Sequence, residues 1–294
     1  MNPTLSWNLL SDLQQLLAFH FMVNALIAGT IAALVAGPIG YLMVLRRQTF
    51  VGHTLAVIGF PGAAAATLLS IDTTFGYFAF CLLGAAIIAA VPTGGRASGE
   101  SGDESAVIAL VQASALGLGY LFVSLYHGFL SGINDLLFGT IIGVSDADVR
   151  ILLAAGAVCL ATLVVLGRRL IFVTVDPDVA ASRGLRVRLL GAGFLILLGI
   201  AAAGASQVTG SLLIFALLVA PPAAAVRLTA RPGPGMVLSA LIALIVVWLG
   251  SGVAYFSPYP IGFWVSTFGF GAFVLATIYR RIADGRFAGK VAVA

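Results

Sequence analysis

The sequence predicts an all-α, polytopic membrane protein of about eight or nine transmembrane helices, and three observations predict it. Of 294 residues, 61% are apolar and only 9% are charged. A soluble domain carries roughly 25% charged residues, so this chain cannot cover itself with a solvated surface. Several apolar runs exceed the ~18 residues that mark a membrane helix; residues 19–45 hold no Asp, Glu, Lys or Arg. The runs show no strand-period alternation. A backbone in hydrocarbon must satisfy its own hydrogen bonds, so such runs are helices.

The elements follow in order. Apolar helices are predicted at residues 18–45, 52–70, 75–92, 105–126, 150–167, 188–205, 209–229, 235–256 and 261–279. Gly37-Pro38 inside the first should kink it or split off an extension. Residues 136–144 are apolar but too short to span, and read as a re-entrant or interfacial segment. Residues 93–105 are rich in Gly and Ser and read as a flexible loop. No fixed-period repeat is visible, so residues 1–294 read as one membrane domain. The first residues lack a positive n-region and a small-residue cleavage site, so the first helix is expected to be retained.

Charge sets the orientation. Alternating the spans gathers Arg46, Arg47, Arg96, Arg168, Arg169, Arg183, Arg186, Arg188, Arg227, Arg231, Arg280, Arg281, Arg286 and Lys290 on one side. That is 14 of the 15 basic residues; only Arg150 falls on the other. The bias makes the basic side cytoplasmic, with the N-terminus outside and the C-terminus inside. The net charge of +4 therefore reflects a membrane surface and does not call for nucleic acid. Cys81 and Cys159 lie within apolar segments without CxxC spacing and read as small buried residues.

Three segments could carry function. Residues 168–188 form a connector too long for a tight turn. A short helix at residues 178–182 follows Asp176-Pro177, and Gly184 offers it a stop. It reads either as a solvated connector or as a coupling helix that docks on a soluble partner. In residues 210–229, Pro221 and Pro222 free backbone carbonyls. They read as a packing kink beside small residues, as a broken helix lining a path, or as both. In residues 50–66, His53 precedes Gly59, Pro61 and Gly62. This histidine reads as a metal ligand, a proton site or an interfacial imidazole bonded to a carbonyl.

Absences narrow the class. The sequence has no metalloprotease, nucleophile-elbow or phosphate-loop motif and no zinc-spaced Cys/His cluster. This argues against an enzyme and calls for no cofactor. Gln112 and Gln207 are the main polar residues of the spans. A proton- or sodium-driven carrier keeps a carboxylate at membrane depth, and none sits clearly mid-helix here. Transport powered by a separate ATPase fits best. An ATP-independent carrier or channel and a scaffold are the alternatives.

Five stretches in order resemble the permease subunits of ABC transporters for zinc, manganese and iron. They are Gly37-Pro38 through Arg46-Arg47, residues 52–62, residues 136–149 (LLFGTIIGVSDADV), residues 176–185 and residues 210–228. The fourth resembles the family's DP-x-x-A-x-x-x-G loop, and the last its proline-containing helix, with Pro222 in place of an alanine. The resemblance implies that Asp176, Pro177, Ala180 and Gly184 contact an ATP-binding subunit. It further implies two such ATPases, a permease homodimer, an extracytoplasmic solute-binding protein and a bacterial plasma membrane. The cargo it implies is a divalent metal such as zinc, with manganese, iron or a non-metal substrate as alternatives. The departure is at the metal site. The family has an Asp followed four residues later by a His, neighbours on one helical face; here those positions are His53 and Val57. One imidazole per subunit gives two at a dimer axis, a set better suited to zinc, copper or nickel than to manganese.

Overall fold

The computed structural model describes residues 14–90, 102–126, 144–209 and 211–291. Among these it contains helices, turns and bends and no strand. The helices are α1 (His20–Leu45), α2 (Thr49–Leu68), α3 (Thr73–Ala90), α4 (Gly102–Leu125), α5 (Asp146–Val175), α6 (Pro177–Ser182), α7 (Val187–Thr209), α8 (Ser211–Leu228), α9 (Pro232–Tyr255) and α10 (Ile261–Val291). Eight of them are long and apolar enough to cross a membrane; α8 supplies a shorter apolar helix. The polytopic helical fold read from the sequence is therefore the fold of the protein.

Four features differ from the sequence reading. The fifth helix does not stop at residue 167 but continues through Arg168 and Arg169 to Val175. The arginine pair ends the apolar run, yet nothing in residues 170–175 breaks a helix. Thirty residues give a helix about 45 Å long, against about 30 Å of hydrocarbon, so α5 projects beyond the bilayer. The last helix likewise runs past Arg280 to Val291. Residues 102–105, read as loop, already belong to α4. α1 is one unbroken helix with Pro38 inside it. Most of the predicted loop at 93–105 and of the interfacial segment at 136–144 lies outside the described residues.

Small residues set the packing. Without a hydrophobic drive between helices in lipid, close backbone approach and interhelical hydrogen bonds hold a bundle together. A methyl group at Gly37 of α1 would stand 2.5 Å from Cα of Ala240 in α9. There the Ser239 hydroxyl donates to the Gly37 carbonyl at 2.8 Å, and one side of the same helix pair is tied by the Trp248 indole donating to Thr30 Oγ1 at 2.9 Å. On the other flank α2 and α3 meet at Gly62 and Gly76, where a Cβ on either would run into the other's carbonyl. Gly62→Val is therefore expected to force these backbones apart, costing about 1–3 kcal/mol or more. The check is a thermal melt of the detergent-purified protein; an unchanged midpoint would refute the close approach.

The helix ends meet in two groups, at opposite ends of the bundle. At one face Asp146 at the start of α5 accepts from Asn24 Nδ2 of α1 at 2.7 Å and lies 3.0 Å from His20 Nε2. Asn24 also donates to the Val144 carbonyl at 3.3 Å. Ser145 and Asp148 cap α5 reciprocally there. At the opposite face the end of α1 meets the end of α5, where Arg46 reaches Thr174. Among the eight spans α2 lies deepest, with 83% of its span buried, between α3, α4, α7 and α8. By contrast α4 and α10 expose most of their surface, with Leu110, Phe270 and Leu275 each about two-thirds exposed or more. That outward apolar surface suits lipid.

Candidate functional site

The projecting end of α5 delivers a short helix, α6, with both ends capped. Asp176 has extended-side backbone angles and its carboxylate accepts from the Val179 N–H at 3.0 Å, satisfying one of the orphan donors of the first turn. Pro177 occupies the first helical position, where its missing N–H costs nothing. At the other end Gly184 sits at φ +79°. Its N–H donates to the Ala181 carbonyl at 2.9 Å, and the Leu185 N–H donates to the Ala180 carbonyl at 3.1 Å. These two bonds form the left-handed cap that glycine favours. Ala180 is wholly buried, while Asp178, Val179, Ala181 and Ser182 face outward.

The four residues expected at a partner therefore divide. Ala180 anchors α6 to its own subunit. Asp176 and Gly184 define the ends of the helix, and Pro177 sets its entry. The outward surface is made by Asp178, Val179, Ala181 and Ser182, which the motif did not single out. Alternation along a helix of this length could have shown it, since residues three apart share a face. Arg183 lies 5.8 Å over the Phe172 ring and braces α6 against α5.

The second region is the beginning of α2. A three-residue turn carries the chain back from α1. Arg47 takes φ +57°, the Arg47 N–H donates to the Val44 carbonyl at 3.1 Å, and the Gln48 N–H donates to the Met43 carbonyl at 3.0 Å. His53 then lies in the second turn of α2, half-buried, with its Nδ1 covered by protein. Val57, one turn on, is 6% exposed. Thr54 is fully buried and donates its hydroxyl to Gln112 Oε1 of α4 at 2.8 Å. Among the described residues no group of three or more His, Cys, Asp or Glu is placed to hold a metal. Cys81 and Cys159 are buried free thiols, as read from the sequence.

The prolines are buried and lie within continuous helices. Pro61 is inside α2, and Pro221 and Pro222 are inside α8. The helix break expected at these positions is not present in the described residues; what the prolines remove is hydrogen bonds. Pro222 lacks the N–H that would bond the Leu218 carbonyl. That carbonyl packs on Gly40 of α1, where the absence of a Cβ leaves room for it. This contact is the one the packing reading expects of Pro222.

Residues 18–280 match the family model of the ABC 3 transport family. The chain belongs to the ABC 3 transport family. The resemblance drawn from the five stretches stands with it. Among relatives of this ABC 3 chain is the manganese import system permease protein ScaB of Streptococcus parasanguinis, 28% identical over 81% of this chain and 82% of that protein. Another is the manganese transport system membrane protein MntC of Halalkalibacterium halodurans, 26% identical over 85% of this chain and 83% of the relative. Among solved structures, a chain of PsaBC from Streptococcus pneumoniae in complex with a Fab superposes with a TM-score of 0.81 at 25% identity. The superposition covers 93% of this ABC 3 chain and 99% of the other.

Proposed function

We propose that the chain is the membrane permease subunit of an ATP-binding-cassette importer that carries a divalent metal ion across a bacterial plasma membrane. Its arginine-rich face is cytoplasmic. The observation that carries the reading is α6: a short helix capped at both ends and held beyond the bilayer on that face. The resemblance of residues 176–185 to the docking loop of metal ABC permeases makes this element the contact for an ATP-binding subunit. Two ATPases, a second permease copy and an extracytoplasmic solute-binding protein complete the complex.

Manganese is supported as cargo by the relatives ScaB, a manganese import system permease, and MntC, a manganese transport system membrane protein. Zinc is the second reading, favoured by His53, an imidazole at the position where the family's pattern has a carboxylate: imidazole suits zinc better than manganese. Both are tested by reconstituting the permease with its ATPase and binding protein in liposomes and following radioactive manganese and zinc. ATP-dependent accumulation of either metal is expected. Accumulation by the permease alone under an ion gradient would replace this proposal with the carrier reading.

A further inference from the structure

The turn between α1 and α2 holds a cation that the functional reading has not used. Arg46 ends α1 and is half-buried. Its Nε donates to Gln48 Oε1 at 3.1 Å, and its Nη1 reaches Thr174 Oγ1 at 3.4 Å. The guanidinium carbon stands 4.8 Å from the centroid of the Phe194 ring in α7. Thr174 gives its own proton to the Leu170 carbonyl at 2.6 Å, so its oxygen faces the guanidinium as an acceptor. Burial pushes the Arg46 pKa down to about 10, which leaves the group charged at neutral pH. Among the described residues no carboxylate pairs with it. Its charge is met by neutral oxygens and an aromatic face, a geometry that a planar guanidinium can fill and a lysine cannot.

The positions of these contacts in the chain matter. Thr174 stands two residues before Asp176, the start of α6. Phe194 lies in the second turn of α7, the helix that leaves α6. Gln48 is the residue from which α2 begins, and its carbonyl accepts from the Gly52 N–H at 3.1 Å, one residue before His53. One rigid group thus touches both legs of the docking helix and the first turn of the helix that carries His53.

We propose that Arg46 is a positioning residue that transmits movement of α6 to the start of α2, and so couples ATP hydrolysis to cargo passage. This rests on the reading of α6 as the ATPase contact. A displacement of α6 must move Thr174 and Phe194, to which it is chained. The guanidinium clamped between them carries that displacement to Gln48. Without the clamp α6 still docks, but α2 is no longer driven.

The test uses the reconstituted complex with R46A, R46K, Q48A and T174V, and R47G as a control at the neighbouring exposed arginine. In R46A and R46K, ATP hydrolysis should stay within about twofold of wild type while metal carried per ATP falls about tenfold or more. T174V and Q48A should show a smaller loss of the same ratio, and R47G none. An unchanged ratio in R46A, or hydrolysis and uptake falling in parallel in every variant, overturns the proposal. If R46A fails to assemble, the ratio in T174V and Q48A decides. A cargo-independent arm places spin labels at Arg186, exposed just past α6 and outside its docking surface, and at Ser70, and measures their separation with and without ATP. Wild type should respond and R46K should not. A wild-type response without uptake of either metal, lost in R46K, would sink the cargo reading and keep Arg46. A wild-type separation indifferent to ATP would overturn both.

Discussion

Replacing Gly184 with proline is expected to abolish ATP-dependent uptake while leaving the membrane helices folded. Gly184 sits at φ +79°, and proline is fixed near −65°. Proline also lacks the N–H that Gly184 donates to the Ala181 carbonyl. Both failures fall on the same turn, so α6 loses its end and α7 its entry angle. Gly184→Ala is the graded version. Alanine keeps the donor and suffers only the left-handed penalty, about 1–2 kcal/mol, so partial uptake should survive. Asp176→Lys acts at the other end. It deletes the acceptor for the Val179 N–H and puts a cation against the positive end of a helix, together costing about 1–3 kcal/mol of local stability. All the damage lies outside the bilayer, so circular dichroism and the detergent melt should hardly change. Loss of ATPase co-purification together with uptake would place the fault at docking. Full uptake in both Gly184→Pro and Asp176→Lys would refute the role given to α6.

These variants were choosable from sequence because the caps of α6 are local chemistry. Asp before Pro announces a helix start and Gly its end, whatever surrounds them. The spans were legible for a similar reason: lipid admits one class of solution for a long apolar run. What escaped is what depends on neighbours. Arg168 and Arg169 read as a membrane boundary, yet a helix can carry arginines into water and continue, as α5 does. Ala180 reads as part of a docking motif, but only the fold shows that it is covered by its own subunit. Pro221 and Pro222 are visible as helix disruptors; the answering gap at Gly40 lies some 180 residues away in sequence. Arg46 looked like one more charge in a topological count. Its contacts with Thr174 and Phe194 exist only once α1, α5 and α7 have packed.

His53→Ala is expected to reduce metal uptake about tenfold or more, the scale on which losing a single ligand or its support lowers metal affinity. The sharper result concerns selectivity. Softness assigns imidazole to zinc, copper and nickel, and carboxylates to manganese. On the first reading the wild-type complex favours manganese in direct competition; on the second, in which His53 ligates the cargo, it favours zinc. His53→Asp should reverse the preference. Adding Val57→His would rebuild the Asp/His pair one helical turn apart, but Val57 is only 6% exposed. A polar ring without a hydrogen-bond partner there costs about 1–3 kcal/mol, so the double variant should gain manganese preference at the expense of stability. Competition between the two radioactive metals, measured in all three backgrounds, reads the order directly. Wild-type and His53→Asp complexes with the same preference would exclude His53 from the cargo's coordination. The imidazole would then be an interfacial group bonded within its own subunit, and cargo choice would rest with backbone oxygens or with the binding protein. A reversal would mean that a chain can keep the ABC 3 fold and its docking helix while changing cargo through one side chain, since nothing that holds α6 or Arg46 in place touches that side chain's identity.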